Sequence, residues 1–332
     1  LKMYKLQNEL KNKVICITGA SGYIGSSLVS QLDKYPVKKI IRISRKKLKP
    51  LKNIEDWALD LNDFDSWLTI VKKSDIIFHL SGNTSIAVAE NDPEKTLASE
   101  VLPITNLVKA SKELFRKPRV IYSSTATIYG LTEKLPVLES HKPVPVTCYD
   151  YNKFQSEKYL EIASQEKAID SIVLRLANVY GPSHTESSSP DRGILSKITK
   201  MCFENKTIPL YGSGDYIRDY VYIDDVINAL LLTSIVDYKE IRKSSEIVFN
   251  VSSGKGTYIK TIFNLIAKEV EKITGVNINI ETVQWPSHVS EIEKRNFIGS
   301  AERLKSLTGW LAKTSIEDGV HLLVSHYSRE YM

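Results

Sequence analysis

A chain of 332 residues is longer than most single domains and predicts two lobes. Its 42% hydrophobic and 25% charged residues suit a globular protein with a large buried core, and its net charge of +6 is modest. The basic excess gathers at 38–52, which reads as a solvated face. No aromatic interleaving or nucleic-acid motif accompanies it, so no nucleic-acid partner is expected. Cys16, Cys148 and Cys202 are too few and too scattered for a disulfide framework or a zinc site. Together with the lack of a secretion-type apolar core near residue 1, they point to a reducing, cytoplasmic setting with no metal. No apolar run approaches the roughly 18 residues of a spanning helix, so no membrane is expected.

In chain order, 14–17 is a short apolar run that predicts a strand buried on both faces. Gly19, Gly22 and Gly25 follow, and 26–32 reads as a helix. Strand, glycine turn and helix form the first unit of a dinucleotide-binding fold. Free N–H groups at the positive end of the helix dipole would receive the pyrophosphate. Ser21, Tyr23 and Ile24 complete this cofactor loop, although the glycines are spaced three apart throughout. The second strand, 39–44, ends Ser44-Arg45-Lys46-Lys47 with no acid in reach. A carboxylate there would accept from a ribose 2′-OH and repel a 2′-phosphate, so the basic ending favours NADP over NAD. The alternative is that Arg45 simply belongs to the basic face.

Residues 57–61 predict a third strand, whose Asp60-Leu61 would lie beside adenine. A fourth over 74–82 ends in Leu80-Ser81-Gly82, where small side chains let a cofactor lie against the backbone. His79, with apolar neighbours on each side, reads as a core histidine. A helix over 93–115 precedes a fifth strand, 119–124, which carries Ser123 and Ser124 and runs into Thr125-Ala126-Thr127-Ile128-Tyr129-Gly130.

Tyr149 and Lys153, spaced i, i+4 at the start of a helix, share one face. A tyrosine acting as base near neutrality must titrate roughly 3 pH units below its usual value, at a cost on the order of 4 kcal/mol. A neighbouring ammonium helps by favouring the phenolate. After a sixth strand (171–176) come Asn178 and a polar stretch at 183–193 that reads as a mobile segment over the site. Then follow a helix over 194–205, a segment over 209–219 containing Arg218, and a strand leading into a helix near 220–225. A final helix begins near 315. The expected fold is α/β: a doubly wound Rossmann-type parallel sheet with a smaller α/β C-terminal substrate-binding lobe. The dinucleotide-binding domain would span 1–181 and also receive about 219–251. The lobe would be discontinuous within 182–332.

Taken together, these stretches resemble the extended short-chain dehydrogenase/reductases, the nucleotide-sugar epimerase/dehydratase family, over nearly the whole chain. The resemblance implies that Tyr149 is the acid/base on a sugar hydroxyl. Lys153 would bind the nicotinamide ribose, and Thr125, with Ser124 beside it, would hydrogen-bond the reacting oxygen. Asn178 and Arg218, with Thr127, would hold a nucleotide-diphosphate sugar, and two copies of the chain would pair through helices at about 99–115 and 152–167.

The departures concern the reaction. The family's 4,6-dehydratases carry Asp-Glu where this chain has Ala126 and Thr127, which argues against water elimination. Glu100 and Pro103 replace the usual Asn and Gly. The family's tail arginine has no clear counterpart, Arg295 being offset. The resemblance implies an epimerase, most simply at carbon 4 of a nucleotide-diphosphate hexose. An NADPH-dependent reductase of a 4-keto-6-deoxy sugar nucleotide is the alternative, and a non-catalytic NADP-binding sensor a remote third.

Overall fold

The computed structural model describes residues 2–44, 53–83, 85–183, 193–286 and 289–331. Five strands come first in the chain: β1 (Val14–Thr18), β2 (Lys39–Ile43), β3 (Ile54–Trp57), β4 (Ile76–His79) and β5 (Arg119–Thr125). The remaining strands are β6 (Asp170–Leu176), β7 (Asn178–Tyr180), β8 (Ile208–Tyr211), β9 (Ile217–Tyr222), β10 (Val248–Val251), β11 (Gly256–Tyr258) and β12 (Ile280–Val283). Seven of them form one sheet in the order β10-β6-β5-β4-β1-β2-β3, every pairing parallel. The order reverses between β1 and β4, and in open parallel sheets such a crevice at the carboxyl ends of the strands receives ligands.

The helices run α1 (Lys2–Leu10), α2 (Tyr23–Leu32), α3 (Phe64–Lys73), α4 (Ile86–Asn91), α5 (Pro93–Glu100), α6 (Leu102–Glu113) and α7 (Cys148–Gln165). They continue with α8 (Ile194–Phe203), α9 (Ile223–Ser234), α10 (Tyr238–Ser244), α11 (Ile259–Thr274), α12 (Glu302–Thr308) and α13 (Ile316–Tyr331). Beside the large sheet stand two small ones, β11-β9-β7 and β12-β8. The stretch 223–251 returns to the large layer, where α9 packs against β5 and β6 and β10 closes the sheet edge against β6.

Three boundaries differ from those expected. The third strand is Ile54–Trp57, and Asp60-Leu61 follow it in a turn in which Asp60 Oδ1 accepts from the Asn62 N–H at 2.9 Å. Short Asp and Asn side chains that bond their own backbone favour such turns over strands. The helix expected over 93–115 is two helices, α5 and α6, meeting at Val101. Pro103, in the first turn of α6, has no N–H to continue α5, and it leaves Glu100 at the bend. The first crossover helix begins at Tyr23 rather than near 26. Part of the basic run is neutralised across the sheet: Arg42 on β2 pairs with Asp56 on β3 at 2.6 Å, and Lys39 with Glu55.

The small sheet is anchored by Asp219, a fully buried carboxylate on β9. It accepts from the Ser253 N–H and hydroxyl at 2.8 and 2.6 Å, from the Gly254 N–H at 3.0 Å and from the Gly299 N–H at 3.2 Å. Asn in its place would turn an amide NH2 toward some of these donors. Asp219→Asn is expected to lower unfolding stability by about 2 kcal/mol, measured by denaturant titration; an unchanged midpoint would remove Asp219 as the anchor.

Candidate active site

The glycine loop between β1 and α2 is built by steric necessity. Gly19 has φ +67°, and a Cβ on it would lie 2.8 Å from the Ser81 nitrogen, so the loop presses against the strand end after β4. A Cβ on Gly25 would fall 2.2 Å from the Gly19 carbonyl oxygen. The third glycine is what lets helix and turn meet. Gly22 caps α2 with no side-chain acceptor for the first N–H groups, which leaves them for an anion. The Ser81 hydroxyl is buried with no hydrogen-bond partner among the described residues. The open helix end and this orphaned hydroxyl fit a dinucleotide laid across the carboxyl ends of β1 and β4.

The other expected cofactor residues flank the same crevice. Ser44, at the end of β2, donates its hydroxyl to Ser21 Oγ at 3.2 Å, tying the end of β2 to the glycine loop. Arg45 lies outside the described residues, as do 184–192 of the polar segment expected over the site. Thr18 Oγ1 accepts from the Leu80 and Ser81 N–H groups at 3.2 Å and contacts His79 Nδ1 at 2.8 Å. Burial and the Lys153 charge push the His79 pKa down to about 3, so it is a neutral core residue stacked on Tyr122. The Leu61 carbonyl accepts from Trp67 Nε1 at 2.8 Å, which holds the Asp60-Leu61 turn against α3. Tyr23 donates to the Gly181 carbonyl at 3.0 Å and joins α2 to the residue after β7. Ile24 follows it in the first turn of α2, packed against the core.

Strand alternation divides the fifth strand's hydroxyls between its two faces. Ser124 donates to Glu157 Oε1 at 2.5 Å within a buried network in which Arg175 also pairs with Glu157 at 2.6 Å. Ser123 and Thr125 take the other face. The Ser123 carbonyl accepts from Lys153 Nζ at 3.2 Å, and Thr125 Oγ1 lies 2.9 Å from Thr127 Oγ1. Thr127 in turn donates to Asp150. Asp150 closes a capping box with Thr147 at the start of α7, with the Thr147 N–H 3.3 Å from Oδ2. Thr125, Thr127, Asp150 and the first turn of α7 are therefore one hydrogen-bonded unit, and Tyr149 rides on that turn. Tyr149 is 8% exposed and Lys153 4%.

On the small-lobe side, Asn178 opens β7 and stands opposite Tyr220 on β9, two positions from Arg218. Arg218 is buried and donates to the carbonyls of Glu293 at 2.6 Å, Ile217 at 3.2 Å and Arg295. Arg295, the residue that looked offset in sequence, is buried beside it and donates to the Ile292 carbonyl at 2.8 Å. Burial first, and then the neighbouring Arg218 charge, pull its pKa down to about 10. Among the described residues neither guanidinium forms an ion pair with a carboxylate, and Arg295 Nε is buried without a partner. Sequence spacing could not show this pairing. It comes from a short turn over 291–294 that brings the Arg295 carbonyl onto Arg218.

A family model for the NAD dependent epimerase/dehydratase family matches residues 15–249. A UDP-glucose 4-epimerase of Mycolicibacterium smegmatis is 24% identical over 320 residues, covering 94% of this chain and 97% of that one. Among solved structures, a UDP-glucose 4-epimerase of Thermotoga maritima with UDP-glucose superposes with TM-score 0.82 at 26% identity, over 96% of this chain and 100% of the other. RMD from Pseudomonas aeruginosa complexed with NADPH superposes with TM-score 0.77 at 22% identity, over 96% and 100%.

Gly25→Ala supplies a test of the cradle. The added methyl meets backbone rather than a flexible side chain. Dinucleotide affinity is expected to fall at least about tenfold, or ~1.4 kcal/mol, read by fluorescence or calorimetric titration. Undiminished binding would place the dinucleotide elsewhere.

Proposed function

The chain belongs to the NAD dependent epimerase/dehydratase family, and we propose that it inverts carbon 4 of a nucleotide-diphosphate hexose through a transient 4-keto sugar. The observation that carries this reading is the union of two parts. Tyr149 and Lys153 sit at the start of α7, whose first turn is hydrogen-bonded to Thr125 through Thr127 and Asp150, and among the described residues two buried arginines, Arg218 and Arg295, form no ion pair with a carboxylate. Planar guanidinium forks match diphosphate oxygens, so this pair suits the charge that a nucleotide sugar brings.

In this reading Gly19, Ser21, Gly22, Tyr23, Ile24 and Gly25 hold the dinucleotide's pyrophosphate. Ser44 and Arg45 lie toward its adenosine ribose, Asp60 and Leu61 beside adenine, and Leu80, Ser81, Gly82 and Ser123 along its nicotinamide half. When bound, the nicotinamide supplies a reversible hydride acceptor. Tyr149 removes the proton from the carbon-4 hydroxyl as that carbon gives up its hydride, and it returns the proton once hydride has come back to the opposite face. Thr125 hydrogen-bonds the reacting oxygen, with Ser124 bracing the strand through Glu157. Lys153 fixes the ribose. Asn178, Arg218 and Arg295 hold the diphosphate sugar, and Thr127 braces Thr125 beside it. Ala126 has no ionisable group, and the Thr127 hydroxyl is engaged by Thr125 and Asp150, which supports epimerisation over 4,6-dehydration.

One observation favours a second reading. Residue 44, at the end of β2, is a serine bonded to Ser21, so no carboxylate stands there to repel a 2′-phosphate. That suits an NADPH-dependent reductase of a 4-keto-6-deoxy sugar nucleotide. The exposed apolar residues Leu97 and Leu102 beside α5 and α6, and Tyr159 and Ile162 on α7, suit pairing of two copies through these helices.

The decisive experiment releases bound nicotinamide from purified, denatured protein and identifies it by mass and absorbance. Stoichiometric NAD is expected, with interconversion of UDP-glucose and its 4-epimer as the first activity assayed. An empty protein that prefers NADPH would replace the epimerase by the reductase. Tyr149→Phe should lower turnover by roughly 10²–10⁴-fold while dinucleotide binding persists. Full turnover in that variant would remove Tyr149 from the chemistry.

A further inference from the structure

Lys153 occupies a dry position, with its Nζ 4.9 Å from the centre of the Tyr122 ring. The ammonium has three donors. One goes to the Ser123 carbonyl at 3.2 Å, and another faces Glu100 Oε2 at 2.9 Å. The two charged side chains are 5% and 1% exposed, so this is a buried ion pair. Glu100 is the last residue of α5, at the bend before Pro103. Its main-chain carbonyl accepts from Ser156 Oγ at 3.0 Å, so the end of α5 is strapped to α7 at two points. Gly82 makes room for the carboxylate, since a Cβ there would lie 2.2 Å from Glu100 Oε1. The end of α5, the body of α7 and the loop after β4 thus converge on one carboxylate.

We propose that Glu100 is the resident counter-ion and positioning residue of Lys153: it keeps the ammonium charged and aimed. This rests on the reading of Lys153 as a dinucleotide ligand. The titratable groups around the pair are His79 from β4, Tyr122 from β5, Tyr149 from α7 and Glu100 itself. Burial alone would pull the Lys153 pKa down. Glu100, and after it Tyr122 and Tyr149, more than offset that and hold it above its usual value. His79 is neutral, and burial keeps the Tyr122 phenol protonated. With the carboxylate's charge removed, burial dominates, and a lysine in such a place sheds its proton far below its ordinary range.

The test is dinucleotide affinity as a function of pH, with NAD and NADP as probes and no sugar substrate. Wild type should bind with nearly level affinity between about pH 7 and pH 9. Glu100→Gln, the same shape without the charge, should lose about tenfold across that interval as Lys153 deprotonates. A Glu100 that only filled space would lower affinity equally at every pH, and that result would overturn the proposal. Should Glu100→Gln fail to fold, the double variant E100Q/K153M replaces the pair by neutral side chains and is expected to regain the melting temperature. A double variant no better than the single would also overturn it. Lys153→Met separates the two readings. If it binds dinucleotide as wild type does, Lys153 is not a ligand and the functional reading of that residue fails. If it binds weakly while Glu100→Gln shows no pH dependence, only the counter-ion proposal fails.

Discussion

Burying charge is costly unless each charge meets its partner, and this constraint sets the rotation of α7. The face that α7 turns inward is mostly polar: Tyr149, Asp150, Asn152, Lys153, Ser156 and Glu157 are all buried. Its hydrophobic contribution, chiefly Leu160 and Ala163, lies farther along. Lys153 and Glu157, four residues apart, pair in different directions, one to Glu100 at the end of α5 and the other to Arg175 on β6. Rotating the helix would strand both charges at once. A buried ion pair adds little net stability over apolar packing, but breaking one is strongly destabilising. The two pairs therefore act on geometry more than on stability, and Tyr149, one turn before Lys153, inherits its direction from them.

The same constraint explains how far the site was legible in sequence. The glycines declare themselves because their spacing follows from a local steric need, and the structure has backbone contacts where a Cβ would sit. The parallel sheet was legible because strands buried on both faces are continuously apolar. The Tyr149–Lys153 pair was legible because i, i+4 residues share a helix face. What stayed hidden is contact between distant segments. Nothing in the local pattern at Glu100 shows that its carboxylate meets an ammonium 53 positions away, or that Arg218 and Arg295 touch. Ser124 reads as a companion of Thr125 because they are adjacent, yet in a strand adjacency means opposite faces, and its hydroxyl goes to Glu157. The break at Val101 was encoded in Pro103, but the apolar pattern of 93–115 masked it.

Buried cations here are of two kinds, those ion-paired with a carboxylate and those without such a pair among the described residues. Arg42 has Asp56, Arg175 has Glu157 and Lys153 has Glu100. Arg218 and Arg295, though equally buried, share only main-chain carbonyls among the described residues. Burial, and after it the Arg218 charge, pulls the Arg295 pKa down to about 10, the second cause being the mark of like-charge repulsion between them. Carbonyl dipoles and the more distant Glu293 and Asp150 offset part of this, yet among the described residues neither arginine has the ion-paired carboxylate that Arg42, Lys153 and Arg175 have. An arriving dianion would relieve both the repulsion and the unsatisfied Nε of Arg295. The described residues thus give Lys153 a carboxylate and leave Arg218 and Arg295 without an ion pair, and in the proposed reading a bound diphosphate would supply that charge.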